Sequence, residues 1–210
     1  MILAALAEPA ADAGRLNFHE FHGYIPLPWE NHRLFGAGFL LVGVLLLVET
    51  LAGGVWFRRA WRRDLWPAVL LVLGWGLIAV ALIDPNDRVI HSLMGVMMIM
   101  AGVSERRYRH GQATLAGANL FVAPALFAGG MEVGVFHSHG GMTSQAFLVH
   151  SLLGLTAMLM APARLYIARE PRSPARHAVL IVLVFVLAFE LLGLSHGQSI
   201  DSHPTAAYTS

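Results

Sequence analysis

Six long apolar runs constrain this 210-residue chain more than any other feature. A helix needs about 20 apolar residues to cross ~30 Å of hydrocarbon, and most of the runs reach that length. Hydrophobic residues make up 56% of the chain and charged residues 13%, and a soluble domain of this size could not bury so much apolar surface. The sequence therefore predicts an all-α polytopic membrane helix bundle with about six transmembrane helices. The expected spans are Leu34–Phe57, Trp66–Ile83, Val89–Val103, Ala113–Gly129, Ala146–Ile167 and Ala178–Leu194.

Arginine sets the expected orientation of the bundle, because the chain contains no lysine. Three alternate loops hold eleven of the fourteen arginines, and the positive-inside rule places such loops in the cytoplasm. Both termini are then extracytoplasmic. We expect an outer N-terminal segment at 1–33, a six-helix domain at 34–197 and an outer tail at 198–210. The loop arginines are Arg58, Arg59, Arg62, Arg63, Arg106, Arg107, Arg109, Arg164, Arg169, Arg172 and Arg176.

The histidines are unevenly distributed across this topology. Nine of the eleven fall on the expected outer side, and only His110 and His177 fall in basic loops on the other side. Imidazole is the commonest protein metal ligand, so a collection of imidazoles at one face of a helical bundle indicates a metal, haem or proton site. The outer histidines are His19, His22, His32, His91, His137, His139, His150, His196 and His203.

The strongest local pattern lies before the fifth span. His137 and His139 are two residues apart, so in an extended segment both rings project to the same side and can chelate one ion. Gly140 and Gly141 permit a turn, His150 follows in the next helix, and Glu132 supplies a carboxylate on the approach. An exposed polar loop is the alternative interpretation.

Two further histidines begin helices on the same side. His32 begins the first span and His91 begins the third. Met94 and Met98 follow His91 on one helical face. Imidazole with thioether favours copper, although a methionine stripe in a membrane helix more often serves as packing.

Two carboxylates lie inside predicted spans, where an ionisable group is a functional candidate by default. Glu190 lies about one and a half turns below the outer end of span six, where it could be a ligand, an orienting partner for a ligating imidazole or a proton carrier. Glu49 lies ~22–25 Å below His32, too deep to join the histidines. We expect Glu49 to be a hydrogen-bonded packing group or part of a proton or ion path.

The histidine-bearing stretches resemble the transmembrane protein 45 family. The similarity covers the run from His32 to Gly43, His91 with Met94, and the series Glu132, His137, His139 and His150. The resemblance implies a multi-helix bundle with histidines at shared positions. It does not imply a particular biochemical activity. The spacing from Glu132 to His137 is shorter here than in that family.

Three functions fit these residues, and a purely structural membrane protein stays open beside them. The first is copper handling or transport at an outward site facing the periplasm or exterior, in a bacterial inner membrane, with zinc or iron as alternative metals. The second is a copper or non-haem iron oxidoreductase acting on a lipid or small apolar substrate. The third is a haem b electron carrier. The expected partners are the bilayer and a metal ion, with a homo-oligomer left open and no nucleic acid. The expected ligands or orienters are His91, His137, His139, His150, His32, Glu132 and Glu190.

Overall fold

The protein is all-helical throughout the part of the chain that the structure describes, as the sequence predicts. A computed structural model describes residues 28–83, 88–136, 144–171 and 173–197. The expected outer tail at 198–210 and most of the N-terminal segment lie outside these residues. The six α-helices are α1 (Pro28–Ala52), α2 (Leu65–Ile83), α3 (Arg88–Arg109), α4 (Leu115–Met131), α5 (Ser144–Arg169) and α6 (Pro174–Gly197).

Shorter helical turns complete two of the connections. The 3₁₀ turns Gly53–Arg58 and Ala60–Asp64 link α1 to α2. A π-helical turn, Glu132–Phe136, continues α4. The α3–α4 connection turns at Gly111, whose φ of 70° suits glycine, and α4 then begins where the Thr114 hydroxyl accepts a hydrogen bond from the Gly117 amide at 3.0 Å.

The six helices pack in a closed ring. Each helix contacts the next in the chain, and α6 returns to pack along α1. Helices α1, α3 and α5 therefore run parallel to one another and opposite to the even-numbered helices. We call the end where α1, α3 and α5 begin the histidine end, because it carries His32, His91 and His150. The opposite end, where Arg109 and Arg164 lie, is the arginine end.

One predicted helix end was displaced by a buried charge. Helix α3 continues to Arg109, six residues beyond the expected Val103, so Arg109, expected in a loop, lies within a helix. Arg164, counted among the loop arginines although it falls inside the expected span Ala146–Ile167, lies within α5 (Ser144–Arg169). Both side chains are buried in ion pairs, and pairing removes the cost of placing a charged residue in the bundle.

Within the described residues, five helical segments are long and apolar enough to cross a membrane, which indicates an integral membrane protein. Helix α3 is not among them, because it carries Arg88, Glu105 and three further arginines. Its 22 residues nevertheless span ~33 Å, and it packs between α2 and α4. The five segments are His32–Ala52, Ala60–Ile83, Leu115–Val135, Phe147–Arg169 and Pro174–Gly193.

Glycines bring two pairs of helices into close contact. Gly74 of α2 meets Gly95 of α3, and a Cβ built on Gly95 would lie 2.7 Å from the Gly74 carbonyl oxygen. Between α4 and α5, a Cβ built on Gly154 would lie 2.5 Å from the carbonyl oxygen of Gly130. Small residues permit such backbone approach in membrane bundles.

Adding a single methyl group at Gly154 tests the close contact between α4 and α5. We expect Gly154→Ala to destabilise the bundle by about 1–3 kcal/mol, because the backbone of α4 cannot yield as a flexible side chain would. The control is Gly193→Ala in α6, where a Cβ would meet nothing within 4 Å. That control should be neutral or stabilise the helix by up to about 1 kcal/mol. Thermal unfolding of the purified proteins in detergent measures both changes, and equal midpoints for the two variants would contradict the tight contact.

Candidate functional site

The structure brings two of the predicted site histidines together at the histidine end. The rings of His32 on α1 and His150 on α5 have centroids 6.3 Å apart and meet edge to face. His150 is only 5% exposed, and the Nδ1 atom of His32 is buried as well. Helices α1 and α5 both pack against α6 in the ring, so this contact joins two helices that are distant in the chain.

The π-helical turn packs directly against the helix that carries His150. Gly134 lies beside Gly154, and a Cβ built on Gly134 would be 3.7 Å from the backbone oxygen of His150. Glu132 begins this turn, and both of its carboxylate oxygens are buried. Single π turns occur often at functional sites, and this one places Glu132 on the approach to α5 that the sequence predicts.

His91 lies at the same end, in the first turn of α3. It precedes Met94 by three residues and Met98 by seven, so the three side chains share one face of α3. Both methionines pack against an apolar cluster that contains Phe35. Phe35 in turn follows His32 by three residues on α1. His32 and His91 therefore each lie about one turn above this cluster on parallel helices. The two methionines serve as apolar packing here.

Glu190 lies deeper in the bundle than the histidine pair. Its Oε1 atom accepts a hydrogen bond from the Thr156 hydroxyl at 3.1 Å, and Thr156 is six residues, or ~9 Å, further along α5 than His150. Its Oε2 atom is buried and has no hydrogen-bond partner among the described residues. This position fits an orienting or proton-carrying role better than direct ligation beside His150.

The remaining predicted residues are not assembled into one centre. Within the described ranges, no group of three or more histidine, aspartate and glutamate side chains is placed to hold one ion. In the described part of the chain, neither His91, Glu132 nor Glu190 therefore completes a three-residue metal-holding group with the His32–His150 pair. His137 and His139 fall in 137–143, outside the described residues, as do His19, His22 and His203.

The two histidines expected in basic loops have ordinary partners at the arginine end. The Nε2 atom of His110 lies 2.8 Å from a carboxylate oxygen of Asp64. The Nε2 atom of His177 lies 2.8 Å from the backbone oxygen of Pro171. Neither histidine belongs to the pair at the opposite end.

A buried charge network occupies the arginine end. Glu105 of α3 bridges two arginines, because its Oε1 accepts from Nε of Arg109 at 3.0 Å and its Oε2 accepts from Arg164 of α5. Arg109 also donates to Glu49 of α1 at 2.7 Å, and Arg164 to Asn119 of α4 at 3.0 Å. We call these five residues the charge network. It contains two positive and two negative groups and ties four helices together.

Sequence reasoning missed most of this network. It expected Glu49 to be a hydrogen-bonded packing group or part of a proton or ion path but named no partner, and the structure pairs Glu49 with Arg109. The guanidinium of Arg109 also lies 4.7 Å from the ring centroid of Trp66 on α2, a cation–π distance. The available signal was the four-residue spacing of Glu105 and Arg109, which places opposite charges on one helical face.

Comparisons with protein-family models, with curated proteins and with solved structures gave no match. The resemblance to the transmembrane protein 45 family stays a prediction.

The charge network can be tested through its central residue. We expect Glu105→Gln to destabilise the protein by about 3–5 kcal/mol, because it leaves two buried guanidinium groups with half of their countercharge. The control is Glu170→Gln, which removes the exposed partner of Arg176 and should cost no more than about 1 kcal/mol. Unfolding of both variants in detergent measures the difference, and a similar loss for both would show that the network contributes no more than a surface pair.

Proposed function

We propose that this chain is an integral membrane protein that crosses the bilayer six times and binds a transition metal, most plausibly copper, at its histidine end. Counting α3 as a span gives an even number of crossings. The arginine-rich connections then face the cytoplasm, and the histidine end faces the periplasm or exterior. The proposed role is metal handling or transport in a bacterial inner membrane.

The observation that carries the proposal is the contact between His32 and His150. A ring nitrogen binds a metal at ~2.0–2.1 Å, so two imidazoles that share an ion have centroids roughly 5–6 Å apart. The observed 6.3 Å lies just above this range, so we propose that the two rings move slightly together when they bind an ion. The contact brings two imidazoles, the commonest protein metal ligands, together from helices that are not adjacent in the chain, and the His150 ring is buried.

The sequence predicts further donors for such an ion. His137 and His139, which lie outside the described residues, belong to the proposed ligand set from the sequence pattern alone. His91 and Glu132 lie at the histidine end, where we propose them as donors to the ion or as orienting groups for the imidazoles that bind it. We assign Glu190 to orientation or proton transfer, because its hydrogen bond to Thr156 holds it deeper than the pair.

The donor types favour copper among the candidate metals. The chain has no cysteine, so thiolate ligands are excluded and imidazole is the main donor. Imidazole suits copper, zinc and iron, and copper binds most tightly of the divalent series. A site on the outer side of the membrane would also lie in an oxidising compartment.

Metal stoichiometry tests the proposal. We expect the purified wild-type protein, after incubation with copper and removal of excess ion, to retain about one ion per chain. His32→Ala and His150→Ala should each lower its metal affinity at least ~10-fold, because the shared ion loses one of its ligands. Elemental analysis and a copper titration measure both quantities. Parallel titrations with zinc and iron identify the preferred metal, and an absorption spectrum identifies any haem.

Matched controls come from the arginine end. His110→Ala and His177→Ala also remove one imidazole each, but they lie far from the pair and should leave copper binding unchanged. Unaltered stoichiometry and affinity in both the His32 and His150 variants would defeat the proposed site. Copper flux into proteoliposomes, measured on the same variants, then separates transport from binding alone.

A further inference from the structure

The connection between α1 and α2 combines basic and aromatic side chains at the arginine end. Residues 53–64 form the two 3₁₀ turns and contain four arginines, two tryptophans and one acidic residue. We call this the basic–aromatic segment. It follows the segment His32–Ala52 and includes the first residues of the segment Ala60–Ile83, and both segments are long and apolar enough to cross a membrane. That placement puts it at the boundary between hydrocarbon and water.

The charge of this segment is not balanced from within. Its one carboxylate, Asp64, is already occupied by Arg106 at 3.0 Å and His110 at 2.8 Å, both from the end of α3. Arg58 and Arg59 are exposed, and neither has an ion-pair partner among the described residues. Two adjacent guanidinium groups therefore face outward without a countercharge.

The aromatic side chains hold a third arginine in place. The guanidinium of Arg62 lies 5.3 Å from the ring centroid of Trp56 and 5.6 Å from that of Trp61. The indole N–H of Trp56 donates to the backbone oxygen of Arg62 at 3.2 Å, which closes the turn. Trp61 is 56% exposed and Val55 54% exposed. Apolar surface thus lies beside the uncompensated charges.

We infer that the basic–aromatic segment binds the phosphate of anionic phospholipid headgroups. Arginine presents a planar fork of donors that matches phosphate oxygens, and clustered basic residues next to a membrane helix attract anionic lipid. Tryptophan favours the headgroup level of a bilayer, so Trp61 and Val55 would contact the upper acyl chains of the same lipid. The arginines would favour anionic over neutral lipids, and the apolar side chains would determine how deeply the segment lies in the bilayer.

Native mass spectrometry of the full-length protein tests this inference. The protein in detergent is mixed with phosphatidylglycerol or with phosphatidylcholine of the same acyl chains, and bound lipids are counted at each concentration. The wild type should bind phosphatidylglycerol more tightly. In Arg58→Gln/Arg59→Gln this preference should fall by about fivefold for each arginine removed. Arg58→Lys/Arg59→Lys keeps both positive charges but removes the planar guanidinium donors. This variant should therefore retain part of the preference for phosphatidylglycerol.

The matched control removes the same charge from another connection at the same end. Arg169→Gln/Arg176→Gln alters the junction of α5 and α6 and should keep the wild-type preference. An equal fall in both double variants would overturn the inference in favour of a diffuse charge effect. An unchanged preference in Arg58→Gln/Arg59→Gln would overturn it outright. Both exposed arginines lack internal partners, so their replacement leaves folding intact, and a melting curve checks this.

Discussion

The buried pairing of Glu105 with Arg109 and Arg164 is the interaction on which the rest of the bundle depends. These three side chains are almost fully buried, with relative exposures of 1%, 5% and 6%. An isolated charge at such a position would be expelled or neutralised, so each group requires the others in place. The network extends to Glu49 and Asn119, and it therefore fixes how α1, α3, α4 and α5 meet. Replacing a buried ion pair with apolar residues is often neutral in stability. The main effect of the charge network here is therefore to determine which helices pair and how they are aligned along their axes.

Three of these four helices, α1, α3 and α5, also carry the histidines at the opposite end. His150 and Arg164 are 14 residues apart on α5, and His91 and Glu105 are 14 residues apart on α3. Both separations correspond to ~21 Å along the helix axis. Because the charge network aligns α3 and α5 at one end, His91 and His150 lie at the same level along the helix axes at the other end. The apolar layer between the ends includes Val42, Leu46, Leu153, Met160 and Val184.

Much of this arrangement was predictable from the sequence, and the remainder has a physical explanation. Apolar run length predicts the six helices, and arginine content separates the two ends. Arg109 was placed in a loop, and Arg164 was counted with the loop arginines, because a one-dimensional pattern treats every charge as solvated. Their burial is tolerated because carboxylates pair with them, and two of these pairs, Arg109 with Glu49 and Arg164 with Glu105, join helices distant in the chain. The contact of His32 with His150 depends in the same way on ring closure between α6 and α1, which no local pattern indicates.

The separation of the two polar ends limits how they can influence each other. The charge network is electrically neutral as a whole, so its field at the histidine end, ~20 Å away, is small even in a medium of low dielectric constant. Any influence on His32 and His150 must therefore pass through helix position. A change at Glu105 that shifts α3 or α5 by a fraction of a turn would separate rings now 6.3 Å apart, whereas a change that leaves the helices in register would not. The geometry of the histidine pair thus reports on whether the distant network is intact.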